Sequence, residues 1–172
     1  MQGEQGMSLA ELIVVMAVMA VIVSAVATYS IPWLGREEMR GAIYTVQEYL
    51  QLARAQAITR NRDCRFMVDT ATRTVSVVDL VDPSTTSDDI TLYQATLSSK
   101  TSFARPDGGA AVTLAPLTGS VYQATLASDG SVTSGAGLIA MQGGDGSYRI
   151  NLYGAGGVRV ERWDGSSWVS GS

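Results

Sequence analysis

Leu12-Ile13-Val14-Val15-Met16-Ala17-Val18-Met19-Ala20-Val21-Ile22-Val23 is the stretch on which the reading of this chain turns. It opens an uncharged run over residues 12–34. About 23 residues at roughly 1.5 Å each give about 35 Å of helix, enough to cross a bilayer core. Many of these residues are β-branched and only moderate helix formers. In lipid, however, every backbone N–H and C=O must be satisfied within the segment, so the solvent imposes the helix. Pro32 is expected to bend or locally break that helix before a polar continuation at Arg36.

Towards the amino end two readings compete. Ala25-Val26-Ala27 offers a small-residue site of the kind that ends a secretory signal peptide, and cleavage there would release a soluble β-rich binding protein. Against it, residues 1–6 carry no Lys or Arg, and Glu11 stands at the mouth of the apolar run. A charge within the membrane costs roughly 2.5–3.5 kcal/mol on insertion scales, so it is normally kept for a partner or a pathway.

The string Gly6-Met7-Ser8-Leu9-Ala10-Glu11-Leu12 resembles the processing signal of prepilins, the precursors of type IV pilins and type II secretion pseudopilins. The resemblance implies cleavage between Gly6 and Met7 by a prepilin peptidase/methyltransferase, N-methylation of Met7, and retention of the apolar helix as an anchor. It implies that Glu11 sets register by pairing with the amino terminus of a neighbouring subunit. Met7 stands where such signals usually have Phe, and the leader lacks their basic residues.

Past Gly35, Ile43, Val46, Leu50, Ala53 and Ala57 recur at three- and four-residue spacing, with Ala42 and Tyr49 alongside, which predicts an amphipathic helix lying on something apolar. Its end, Leu52-Ala53-Arg54-Ala55-Gln56-Ala57-Ile58-Thr59-Arg60-Asn61-Arg62, leads into a strand-like Cys64-Arg65-Phe66-Met67-Val68. That passage is similar to the GspH/FimT branch of the pseudopilins, through Leu52, Ala53, Arg54, Ala57, Arg60 and Asn61. Residues 74–78, 90–93, 111–114, 148–153 and 158–163 read as short strands, separated by Gly, Asp, Ser and Pro clusters. Residues 154–157 read as a hairpin turn, and residues 163–168 as another with a tryptophan on each flank.

The expected fold is therefore α+β, a pilin-like lollipop: leader 1–6, transmembrane helix 7–34, amphipathic continuation 35–62 and an antiparallel β head 63–172. The resemblance implies a minor pilin or pseudopilin, not an enzyme, in a bacterial inner membrane with its head in the periplasm. Its implied partners are other subunits and an inner-membrane assembly platform.

The composition agrees with a non-catalytic role. There is no histidine, which removes the commonest general base and the usual zinc ligand. The single cysteine, Cys64, has no partner for an intramolecular bridge and reads as a small buried apolar residue. A net charge of −4 disfavours nucleic acid as a partner. Some FimT-type relatives bind DNA through Gly-Arg-x-Arg, but here the region reads Gly157-Val158-Arg159-Val160-Glu161-Arg162, with valine in place of the first arginine. Strand alternation puts Arg159 and Glu161 on one face, where their charges offset. Asp79, Asp82, Asp88 and Asp89 offer oxygens for calcium but match no EF-hand, so they read as a solvated loop. Gly143-Gly144-Asp145-Gly146 lacks the Lys-Ser/Thr of a phosphate loop and reads as a turn. Arg54, Arg60, Arg62 and Arg65 form the one concentration of positive charge, read as solvating a helix end. No residue is singled out for catalysis, a metal or a cofactor.

Overall fold

The computed structural model describes residues 9–82, 85, 88–144 and 146–170, with the backbone alone over 27–36. The chain divides into two units, residues 1–34 and 35–172.

In the first unit the described residues are helical and belong to α1 (Leu9–Arg60). α1 continues across Pro32, so the expected break is not there. One lost hydrogen bond does not undo a helix propagated from both sides.

In the second unit the predicted stripe is the buried face of α1. Ala42, Ile43, Val46, Leu50, Ala53 and Ala57 are all buried, and Tyr49 packs partly against them. Among the described residues ten strands follow: β1 (Cys64–Asp69), β2 (Thr74–Asp79), β3 (Ile90–Thr96), β4 (Ala115–Thr118), β5 (Val121–Leu126), β6 (Val132–Ser134), β7 (Gly137–Gly143), β8 (Gly146–Leu152), β9 (Val158–Trp163) and β10 (Trp168–Ser170). They form two antiparallel sheets. One runs β3-β2-β1-β5-β4 with β6 also on β5; the other runs β10-β9-β8-β7. Inward residues of both sheets, including Phe66, Val68, Val77, Leu126, Ile139 and Ile150, join the helix stripe in one apolar core.

Four predicted strands match β1, β2, β8 and β9 closely, and the fifth, residues 90–93, is the first part of β3. The sixth, residues 111–114, does not form as a strand. Val112 makes only an isolated bridge to Ile139, and pairing begins one residue later at β4. Strands β5, β6 and β7 were not anticipated. The turns were: Leu152 pairs with Val158 across residues 153–157, Gly143 with Gly146, and Trp163 with Trp168.

Two local devices hold the β head. Asp69 ends β1, and its carboxylate accepts hydrogen bonds from Ser120 Oγ at 2.6 Å, Thr72 Oγ1 at 2.7 Å and the Ala71 amide at 2.9 Å. These bonds, that from Ser120 first, hold its pKa at about 2 and tie the β1–β2 turn to the β4–β5 turn. The second device is Gly156, which has φ +75°, and a Cβ built there would lie 2.0 Å from the Gly130 carbonyl oxygen. No side chain fits that space, and the backbone conformation is itself one that favours glycine.

Gly156→Ala is expected to lower stability by more than about 2 kcal/mol, since a positive-φ penalty adds to a backbone clash. Gly154→Ala, which meets open space, should change it by less than half as much. Chemical denaturation of both variants checks the difference.

Candidate functional site

Two stretches of α1 carry the features that the sequence singled out. The first is the apolar span Leu9–Val26, with mean hydropathy 2.7 and no residue of the window buried. By length and composition this helix can cross a membrane, where its uncovered apolar surface would meet lipid. Within it the Ser24 hydroxyl donates to the Ala20 carbonyl at 2.7 Å, so this polar group is satisfied inside the helix. Glu11 lies in the first turn of α1, where a carboxylate suits the helix dipole. Gly6 and Met7 lie outside the described residues.

The second stretch is the end of α1, where the motif residues take distinct positions. Ala53 and Ala57 are fully buried, small enough to let the helix sit close to the sheets. Asn61 has φ +51°, its amide donates to the Ile58 carbonyl at 3.3 Å, and the Arg62 amide donates to the Ala57 carbonyl at 3.2 Å. This pair of bonds is a Schellman cap, and Asn is the residue besides Gly that most readily takes its left-handed position. Arg60 Nη1 donates to Asp79 Oδ2 at 2.8 Å, and Asp79 is only 1% exposed. Arg54 Nη1 donates to the Gly156 carbonyl at 3.3 Å, from the helix to the β8–β9 turn. Leu52 is half-buried.

The structure does not gather the basic residues into a patch. Arg60 goes to Asp79, Arg65 to Asp89 at 3.3 Å, and Arg54 to a backbone carbonyl, while Arg62 is exposed. The acidic loop is dispersed in the same way, and Asp88 accepts a hydrogen bond from Thr85 at 2.8 Å. Among the described residues no three potential metal ligands lie together. Asp79 is the residue that sequence reasoning placed wrongly, as part of a solvated loop. The alternation of Thr74-Val75-Ser76-Val77-Val78-Asp79 and an arginine at the helix end were the available signals. Cys64 pairs with Asp79 in the β1–β2 ladder and is fully buried. Desolvation, with Asp79 adding to it, pushes its thiol up to about 11.

On β9, Glu161 is buried on the face away from Val158 and Val160. It accepts hydrogen bonds from Arg149 Nε at 2.5 Å and Asn151 Nδ2 at 2.8 Å, and Arg159 approaches it to 3.8 Å. Arg149 also stacks over Trp168 at 4.7 Å, and Trp168 donates to Asp107 at 3.0 Å. Arg159 and Glu161 therefore lie on one face of the strand, as alternation predicted, with Arg149 the closer partner of the carboxylate.

An apolar helix whose continuation lies on antiparallel sheets is the build of a pilin or pseudopilin subunit. Residues 42–156 match the Type II transport protein GspH family, and the chain belongs to that family. Residues 1–27 match the prokaryotic N-terminal methylation motif. None of the curated proteins matches the chain. Among solved structures it is similar to the type IV minor pilin FimU of Pseudomonas aeruginosa strain PAO1, with 14% identity over 77% of this chain and 93% of that one, and a TM-score of 0.51. It is also similar to the minor pseudopilin EpsH from the Type 2 Secretion System of Vibrio cholerae, with 20% identity over 72% and 95% and a TM-score of 0.49. The FimU likeness shows the fold. The chain is a subunit of the pilin and pseudopilin type, with an N-terminal helix long and apolar enough to cross a membrane.

Arg60→Ala leaves the buried Asp79 carboxylate without its cation and is expected to cost on the order of 3 kcal/mol. Removing both partners should cost less than the sum of the single variants by at least about 1 kcal/mol, read from a double-mutant cycle of denaturation midpoints. Cys64 should resist maleimide at pH 7 in the folded chain and react fully once the chain is unfolded in denaturant.

Proposed function

We propose that this protein is a low-abundance subunit of a type II secretion pseudopilus or type IV pilus, supporting protein secretion or pilus biogenesis mechanically and without catalysis. The observation that carries the proposal is the joint match of a methylation motif over residues 1–27 and the GspH family over residues 42–156. Prepilin peptidase removes residues 1–6 between Gly6 and Met7 and methylates the new amine of Met7. The apolar helix then holds the subunit in the bacterial inner membrane with its head in the periplasm, until an assembly platform extracts it among other subunits.

Glu11 has the central part in this scheme. Inside a filament of packed apolar helices its carboxylate meets the amino terminus of a neighbour. Two charges that are each costly in an apolar setting neutralise one another, which fixes the axial register. The leader and anchor at one end and the capped helix end under the β head at the other divide the labour. One end handles the membrane and the filament core, and the other presents folded surface.

The test is the mass of the mature N-terminal peptide from cells with and without the prepilin peptidase. A peptide beginning at N-methylated Met7, lost without the peptidase, is expected; one beginning at Thr28 would overturn the reading in favour of a released soluble domain. In the same cells Glu11→Val should leave processing intact and reduce cross-linking to other subunits at least tenfold.

A further inference from the structure

A groove runs along α1 where it meets β9 and β10. Its larger hollow, of ≈ 500 Å³, is lined by Arg40 and Tyr44 of the helix, Val160 and Arg162 of β9 and Val169 of β10, with Arg159 also contributing. A second hollow of ≈ 310 Å³ shares Val158 with the first and continues beside Gln51, Arg54 and Ile58. Between Arg40 and Ile58 the helix rises about 27 Å, the length of roughly eight residues of extended chain.

The two hollows contain four arginines and no carboxylate among their lining residues, in a chain whose net charge is −4. These arginines are poorly matched from within. Arg162 has no acidic partner among the described residues. Arg40 meets Glu37 only at 3.9 Å, with both side chains more than half exposed, a pairing worth little in water. Arg159 shares Glu161, at 3.8 Å, with the closer Arg149. Arg54 gives one N–H to the Gly156 carbonyl and makes no ion pair among the described residues. Between the charges lie Ile43, Val158, Val160 and Val169, and Tyr44 stands 65% exposed at the side.

We propose that this groove binds an extended acidic segment of a protein partner, one in which aspartate or glutamate alternates with aliphatic residues. The arginines take the carboxylates, and Val158, Val160 and Val169 take the aliphatic side chains. The length of the groove and the valines interleaved with its arginines suit a peptide strand better than a small anion. A polyphosphate backbone would leave Val158, Val160 and Val169 without apolar partners. The inference rests on the head alone and not on the assembly reading, since a peptide reaches the groove whether or not a filament forms.

The experiment is fluorescence anisotropy of the full chain in a neutral detergent with a labelled (Glu-Leu)4 peptide, its (Gln-Leu)4 counterpart and a 12-nucleotide single strand. The acidic peptide is expected to bind at least tenfold more tightly than the neutral one and to weaken as salt rises. Arg40→Gln with Arg162→Gln should weaken it tenfold or more, whereas Arg→Lys at both positions should retain most of the binding. Both side chains are exposed, and an unchanged thermal unfolding midpoint shows that the head is intact. Equal affinity for the two peptides, no loss in the double glutamine variant, or tighter binding of the oligonucleotide would each overturn the proposal.

Discussion

The hydrogen bond from Arg54 to the Gly156 carbonyl marks the junction on which the head depends. Gly156 belongs to the β8–β9 turn, and its α-carbon is pressed against the Gly130 carbonyl of the β5–β6 connection. The neighbouring Gly154 carbonyl accepts the Val132 amide of β6 at 2.8 Å. The two sheets thus meet through main-chain groups, and the helix reaches them through the Arg54 side chain. Burying backbone at such a point is costly unless its polar groups are paired, and here the Gly154 and Gly156 carbonyls and the Gly156 amide are. A single arginine reaching from the helix, and a glycine with no Cβ, are what allow that closeness.

Charge is used sparingly and in the same spirit. Asp79 is almost wholly enclosed and has one cation, Arg60, at the last turn of α1. A buried pair of this kind contributes little net stability compared with apolar residues of the same shape, but it penalises any docking of the helix that leaves the carboxylate alone. Glu161 is held similarly by Arg149 and Asn151, both of β8. One pair fixes the end of the helix against β2, and the other fixes β9 against β8. Specific placement, more than added stability, is what these buried charges contribute.

What was legible in the sequence follows from what is local. The stripe of Ile43, Val46, Leu50, Ala53 and Ala57 repeats with the helical period, so its burial could be read directly. The Gly-rich turn at 154–157 and the tryptophan-flanked turn at 163–168 announce themselves by composition. Strand β7 did not, because Ile139, Ala140 and Met141 are buried on both faces and show no alternation. Strand β5 lies between β1 and β4, over 50 residues from β1 in the chain, and nothing near Val121 specifies that pairing. The motif residues Arg60 and Asn61 were recognised by resemblance, whereas their reasons, a buried aspartate on another strand and a left-handed cap, needed coordinates. Pro32 does not break the helix, because its effect depends on how firmly the flanking turns are held.

Cys64 lies on β1, the central strand of its sheet, and is enclosed only when both neighbours are in place: Asp79 of β2 on one side and Leu126 of β5 on the other. As the only cysteine in the chain, any disulfide it forms must join two molecules. Sheet completion and protection of the sulfur are therefore the same event. Covalent dimers appearing under oxidising conditions would tally the molecules caught before β5 had closed over β1, so this one thiol keeps a chemical record of unfinished folding.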